Sequence, residues 1–193
     1  MITQIKGKLI EKTPTQVVVD CNGIGYEINI SLYTFSSLSS DENVKLFTHL
    51  QVREDAHILY GFFTVLERAV FRLLISVSGI GTSTARTMLS SLTPTEIHQA
   101  VGSDDVATIQ GIKGIGLKTA QRVIIELKDK IKTLQGIDEI PVFKSNTIKE
   151  ETLSALEVLG YSRKASEKVV DKLIQGNSDS TVEELIKSAL NKL

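Results

Sequence analysis

The chain has no tryptophan, only 5% aromatic residues and a single cysteine, Cys21. One thiol excludes an internal disulfide and a cysteine-rich zinc site, and makes a reducing cytoplasmic compartment the expectation. No stretch of about 18 apolar residues occurs, so no transmembrane helix and no membrane partner are expected. The opening Met1-Ile-Thr-Gln-Ile-Lys6 lacks the basic-then-apolar pattern of a secretion signal. His49, His57 and His98 are scattered without companions, so neither a metal centre nor a catalytic triad is expected, and no cofactor. A strong excess of either charge is also missing, the net charge being −1 over 193 residues.

That total hides a difference between segments. Residues 1–64 carry five Lys/Arg against seven Asp/Glu, residues 65–135 nine against six, and residues 136–193 eight against ten. The middle third is therefore the place for a polyanion, although its excess of three positive charges needs a motif beside it.

The reading is a multidomain α+β chain. Residues 1–63 show short alternating runs at Ile2 to Ile10, Gln16 to Asp20, Tyr26 to Ser31, Val44 to Val52 and His57 to Gly61. In the fourth run Val44, Leu46, Leu50 and Val52 share one face. Asn22-Gly23 supplies hairpin chemistry. Five short strands in about 60 residues predict a small closed barrel of the OB type, because closure removes exposed edges. At Thr64 the period changes. Thr64-Val-Leu-Glu67 reads as a capping box, Thr93-Pro-Thr-Glu96 as a second, and helical spacing continues over an all-α segment, 64–134. Residues 135–147 lose periodicity and read as a linker. Residues 148–193 read as a small bundle of three helices, 148–159, 163–175 and 181–192. Within it Leu153, Leu156, Leu159, Val169, Val170 and Leu173 have core spacing.

The all-α segment holds an internal repeat. Ser78-Gly-Ile-Gly-Thr-Ser-Thr-Ala85 and Lys113-Gly-Ile-Gly-Leu-Lys-Thr-Ala120 match at Gly, Ile, Gly, Thr and Ala with an offset of 35 residues. Each turn, Gly79-Ile80-Gly81 and Gly114-Ile115-Gly116, lies between an apolar helix and a second helix. The glycines let the backbone bend and a ligand approach closely. The free N–H groups of the next helix, at the positive end of its dipole, suit a phosphate. The central isoleucines should point inward and pin the helices. This spacing resembles tandem helix-hairpin-helix units, which straddle the minor groove of a duplex and read phosphates without reading bases. Gly111 to Thr119 also approaches the phosphate loop of ATPases, but Leu117 stands where its lysine belongs and no strand precedes it, so an ATP site is rejected.

Barrel, tandem hairpins, linker and three-helix tail, in that order, resemble the RuvA family of Holliday-junction-binding subunits over essentially the whole chain. Asn22-Gly-Ile-Gly-Tyr26, His49-Leu-Gln-Val-Arg-Glu-Asp-Ala56, Leu59-Tyr-Gly-Phe62 and Ile124-Ile-Glu-Leu-Lys128 agree as well. The resemblance implies a non-catalytic homotetramer that holds a four-way junction open for ATP-driven branch migration in recombination and repair. One tetramer, or two facing each other as an octamer on DNA, remain open. It implies a RuvB-like hexameric ATPase as partner, and leaves room for a junction-resolving nuclease. Glu54 and Asp55 match the family's acidic pin, and paired carboxylates on such a surface would push phosphates apart. The DNA contacts carried over are the two glycine turns with Thr82, Ser83, Arg86, Lys113, Lys118, Thr119 and Arg122. Thr82-Ser83 stands where the family often has Pro-Lys, Leu117-Lys118 where Lys-Lys is frequent, and Lys113 where proline is frequent. These hairpins are therefore expected to grip with less charge, the hydroxyls of Thr82, Ser83 and Thr119 still donating. In the tail, Leu156, Leu159 and Tyr161 are the candidates for partner binding.

Two other classes stay open. Helix-hairpin-helix units also occur in DNA-repair nucleases and glycosylases, for which Glu54-Asp55 is the one candidate acidic cluster. An architectural adaptor could use the barrel for single strands, but this needs stacking aromatics, which are scarce.

Overall fold

A computed structural model describes residues 1–39, 43–132, 134, 148–176, 181–190 and 192. The first five strands are β1 (Gln4–Lys12), β2 (Gln16–Cys21), β3 (Ile24–Ile30), β4 (Asn43–Val52) and β5 (His57–Phe62), with helix α1 (Leu32–Ser37) between β3 and β4. They close into a barrel in the order β1-β2-β3-β5-β4. Neighbours are antiparallel except β3 and β5, which run parallel and pair at Asn29–Tyr60 and Ile30–Gly61. This is the OB-like arrangement expected, and the runs seen in the sequence are its strands with ends moved by a residue or two. Asn22 (φ 56°) and Gly23 (φ 91°) form the β2–β3 turn, both in the left-handed region that a two-residue hairpin requires. Cys21 is a strand thiol at the β2 end, its Sγ 3.4 Å from the Lys6 carbonyl oxygen.

Helix α1 was not expected. Six residues are too few to display a helical period, and its signal is the cap: Ser31 accepts from the Thr34 N–H. Val52 also departs from the reading. It alternates in phase with Val44 and Leu46, yet is 62% exposed. At that point β4 pairs with the start of β5 (Val52 opposite His57) at the turn end of the hairpin, where no barrel interior remains to fill.

The helices α2 (Val65–Ile75), α3 (Thr82–Ser91), α4 (Pro94–Gly102), α5 (Val106–Gln110) and α6 (Leu117–Lys132) follow. They share a compact unit, Met1–Glu139, with the barrel. Alternation along β4 and β5 explains how. Leu46 and Leu59 point into the barrel core, whereas Phe47, Tyr60 and Phe62 from the opposite face join the core of the helices. Phe71 of α2 sits in the middle of this outer face. Its ring centroid lies 4.8 Å from Phe62, 5.2 Å from Tyr60 and 5.5 Å from His49. Burial, then the charges of Arg72 and Arg68, hold the His49 pKa below its ordinary value, so this imidazole is neutral at pH 7.

Glu67 does more than the expected cap. Thr64 does cap α2, accepting from the Glu67 N–H at 3.0 Å. The Glu67 side chain also turns into the barrel junction, where it is fully buried with the Thr64 backbone among its hydrogen-bonding neighbours. There its carboxylate accepts from the Ser31 hydroxyl, the Thr34 hydroxyl (2.6 Å) and the Phe63 N–H (3.0 Å). The box at Thr93 and Glu96 is complete, with the Thr93 N–H donating to Glu96 at 2.7 Å and Pro94 opening the helix.

The tail is a unit of its own, built from α7 (Ile148–Val158), α8 (Arg163–Gly176) and α9 (Val182–Leu190). The three pack on one another around Leu153, Leu156, Val170 and Ala189. Thr181 and Glu184 cap α9 reciprocally, and Lys149 joins α7 to Glu167 and Asp171 of α8 at 3.2 and 2.6 Å. The expected linker, 135–147, lies outside the described residues.

The Glu67 cluster generates a pH prediction. Burial raises its pKa above the ordinary 4.5, the surrounding donors opposing the shift. With the folded value above the unfolded one, the stabilisation linked to the bound proton is complete below the unfolded value. It is lost as pH rises through the folded value. Urea unfolding from pH 4 upward should therefore show the wild type losing stability relative to Glu67→Gln, which cannot titrate. Glu67→Ala leaves three donors facing a void and is expected to cost about 3 kcal/mol.

Candidate nucleic-acid interface

The two glycine turns are built alike, bond for bond. In the first, the Ile80 N–H donates to the Val77 carbonyl at 3.0 Å, and in the second the Ile115 N–H donates to that of Ile112 at 3.0 Å. Gly79 has φ 93° and Gly114 φ 90°, a conformation that strains any side chain. Helical bonding then resumes from the second glycine, Ala85 N–H to Gly81 and Ala120 N–H to Gly116, both at 2.9 Å. As expected, the isoleucines point inward, Ile80 being 5% and Ile115 6% exposed. A Cβ on Gly79, Gly81, Gly114 or Gly116 would meet nothing within 4 Å, so the backbone faces open space at all four. Gly81 caps α3 without a side-chain hydrogen bond. The first N–H groups of that helix therefore have no side-chain cap, at the positive end of its dipole. Such an arrangement can hold an anion by backbone alone.

Side chains around the turns divide into outward and inward groups. Ser83, Lys113 and Lys118 are exposed and Thr119 is half-buried. Thr82 is turned inward. Its hydroxyl donates to Gln51 Oε1 at 2.9 Å and accepts from the Tyr60 hydroxyl at 3.0 Å, leaving its backbone N–H as the group nearest a ligand. Arg86 is half-buried and donates to Asn29 Oδ1 at 2.8 Å and the Thr15 carbonyl at 3.3 Å, so its guanidinium clamps α3 to the barrel. Arg122 is exposed but braces the two hairpins, reaching from α6 to the Ser78 carbonyl at 3.3 Å, with Glu126 3.7 Å away. Arg86 and Arg122, carried over as DNA contacts, thus have their guanidinium groups partly engaged within the protein. Gln51 and Tyr60 were not among the sequence candidates: both lie in stretches that carry the family resemblance, but neither has a charge to mark it.

Glu54 and Asp55 lie exposed at the tip of the β4–β5 hairpin. The Arg53 N–H closes that turn onto the Ala56 carbonyl at 2.8 Å, and exposed Arg53 flanks the acids. Among the described residues, no group of three or more His, Cys, Asp or Glu is placed to hold a metal ion. No described helix is long and apolar enough to cross a membrane.

In the tail, Leu156 must be corrected as a partner contact: it is fully buried in the core of the three helices and has no surface to offer. Leu159 and Tyr161 are 56% and 37% exposed, beside Val158 at 88%. A Schellman turn presents them. Gly160 has φ 95°, its N–H donates to the Glu157 carbonyl, and the Tyr161 N–H donates to that of Leu156.

Comparison with known proteins covers the same segments. The RuvA N terminal domain matches residues 1–61, the SAM-like helix-hairpin-helix tandem residues 71–129, and the RuvA C-terminal domain residues 147–193. The protein named Holliday junction branch migration complex subunit RuvA in Christiangramia forsetii is 62% identical, with 100% of both chains covered. Its namesake in Flavobacterium psychrophilum is 58% identical over the full length of both chains, and that of Bacteroides thetaiotaomicron 44%. Matched in all three segments and along its whole length, the chain belongs to the RuvA family.

Proposed function

We propose that the chain is a DNA-binding subunit, not itself catalytic, that holds a four-way junction open while a separate ATPase drives branch migration in recombination and repair. The observation that carries this reading is the pair of matched glycine turns, with open backbone at four glycines and exposed Lys113 and Lys118 beside them. Two phosphate grips related by a repeat suit the two strands of a duplex arm, and nothing in them is shaped to read base edges. The name of the relatives supports the junction as the target. The acidic pair at the hairpin tip repels phosphates and would separate strands at the crossover.

Four copies around an axis would give each arm its own pair of grips, with the pins at the centre. The homotetramer, alone or doubled on DNA, is part of the proposal and is checked by light scattering with and without junction DNA. Val158, Leu159 and Tyr161 form an apolar exposed group that suits the partner ATPase, with a junction-resolving nuclease as a further partner and the cytoplasm as the compartment. The single-strand adaptor is disfavoured, because Tyr60, Phe62 and Phe71 are spent in packing the helices on the barrel.

At physiological salt the full-length protein is expected to bind a four-way junction more tightly than linear duplex of equal length, whatever the sequence. Equal affinity would remove the proposal, and cleavage of the junction in Mg²⁺ alone would make the protein a nuclease. Lys118→Gln should weaken binding evenly across sequences and reduce the log–log salt slope by about one. Glu54→Gln with Asp55→Asn should keep or tighten junction binding while altering migration by the assembled motor complex. Unaltered migration would reduce the pin to a solvated turn.

A further inference from the structure

Three residues one turn apart on α3 face the barrel, and all three are polar. Thr82 joins Gln51 and Tyr60, Arg86 joins Asn29 and Thr15, and the Ser90 hydroxyl accepts from the Leu32 N–H at 3.1 Å. The internal repeat provides a comparison within the same chain. At the offset of 35 residues their counterparts on α6 are Leu117, Gln121 and Ile125, all exposed and the last by 77%. A phosphate-gripping hairpin therefore does not require this stripe. It belongs to the first hairpin alone, and it connects that hairpin to the barrel.

Its first member is placed where the connection matters most. Thr82 is the first residue of α3, directly after the Gly79-Ile80-Gly81 turn, and only 5% exposed. Gln51 and Tyr60 lie on the outer face of β4 and β5, Gln51 close to the turn end of the hairpin whose tip carries Glu54 and Asp55. Hydrogen bonds run one way through the three groups. The Tyr60 O–H donates to Thr82, and the Thr82 O–H donates to the Gln51 amide oxygen. Each hydroxyl proton has one acceptor, so the hydroxyl of Thr82 is held in one orientation.

We infer that Thr82 is a positioning residue, which through Gln51 and Tyr60 fixes the first phosphate-gripping turn against the acid-tipped β4–β5 arm and thereby sets the preference for four-way over linear DNA. The inference rests on the function proposed above. A linear duplex needs only the grips, whereas a junction must meet the grips and the acidic tip at one fixed spacing. Loosening the link should therefore affect the junction selectively. Val in place of Thr82 would leave the Gln51 amide oxygen and the Tyr60 hydroxyl without their shared partner.

The test uses the full-length protein, fluorescence anisotropy on a four-way junction and on linear duplex, and hydrogen exchange without DNA. Gln51→Met, which alters only the barrel side of the link, should lower junction affinity about fivefold and leave linear duplex within twofold. Thr82→Val should lower junction affinity to a similar degree, Thr82→Ser should restore it, and the Gln51→Met, Thr82→Val double variant should be little worse than either alone. Equal losses on both DNAs, or no loss with Gln51→Met, would overturn the inference. In the absence of DNA, Thr82→Val should speed amide exchange over 79–84 and not over 114–119. Unchanged exchange in the first turn would overturn it whatever the DNA measurements give. If the wild type itself shows no junction preference, the proposed function fails, and the exchange result still decides whether Thr82 positions the turn.

Discussion

The packing of α2 and α3 on the outer face of β4 and β5 is the contact on which the other features depend. Phe71 enters that face among His49, Tyr60 and Phe62, and the buried Glu67 carboxylate gathers the Ser31 and Thr34 hydroxyls and the Phe63 N–H beside it. A strand buried on one face only could not do this. Because β5 sends Leu59 into the barrel and Tyr60 and Phe62 into the helices, one hairpin serves two cores and carries the acidic pair at its tip. The hairpin that carries the acidic pair is thus joined to the first glycine turn through packed and hydrogen-bonded side chains.

The polar groups in this contact have a cost that apolar packing lacks. A carboxylate without water is unfavourable, and burial raises the Glu67 pKa accordingly. What it supplies is direction. Three donors converge on two oxygens, and a shift of the helix along the barrel would strand all of them, whereas aromatic rings tolerate sliding. The hydroxyl and guanidinium contacts of α3 act in the same sense. Apolar contacts hold the helices to the barrel and hydrogen bonds fix where they sit.

The hairpins follow a different economy. What they expose is glycine backbone at the start of a helix, which suits an anion without specific side chains, and the proposed grip rests on it. That explains how the turns keep their geometry while Thr82-Ser83 and Leu117-Lys118 carry little charge. Arg86 and Arg122, the residues best placed by sequence to add charge, instead brace α3 to the barrel and one hairpin to the other.

The sequence by itself determined what local rules govern: five alternating runs, the helical segment after Thr64, the matched glycine turns, the acidic hairpin tip and three helices in the tail. Each is written in residues near one another in the chain, where period, turn chemistry and backbone sterics act. Tertiary structure decided what distant residues do to one another. Glu67 follows the capping pattern of Glu96, yet beside the N–H at its own helix end it gathers the hydroxyls of Ser31 and Thr34 from 36 and 33 residues away. Leu156 and Leu159 have similar spacing, yet one is fully buried and the other lies beyond the last turn of α7. Thr82 and Arg86 look like phosphate contacts until the barrel supplies partners 31 and 57 residues away. A polar side chain takes the best partner within reach, and in a folded chain reach is set by the fold.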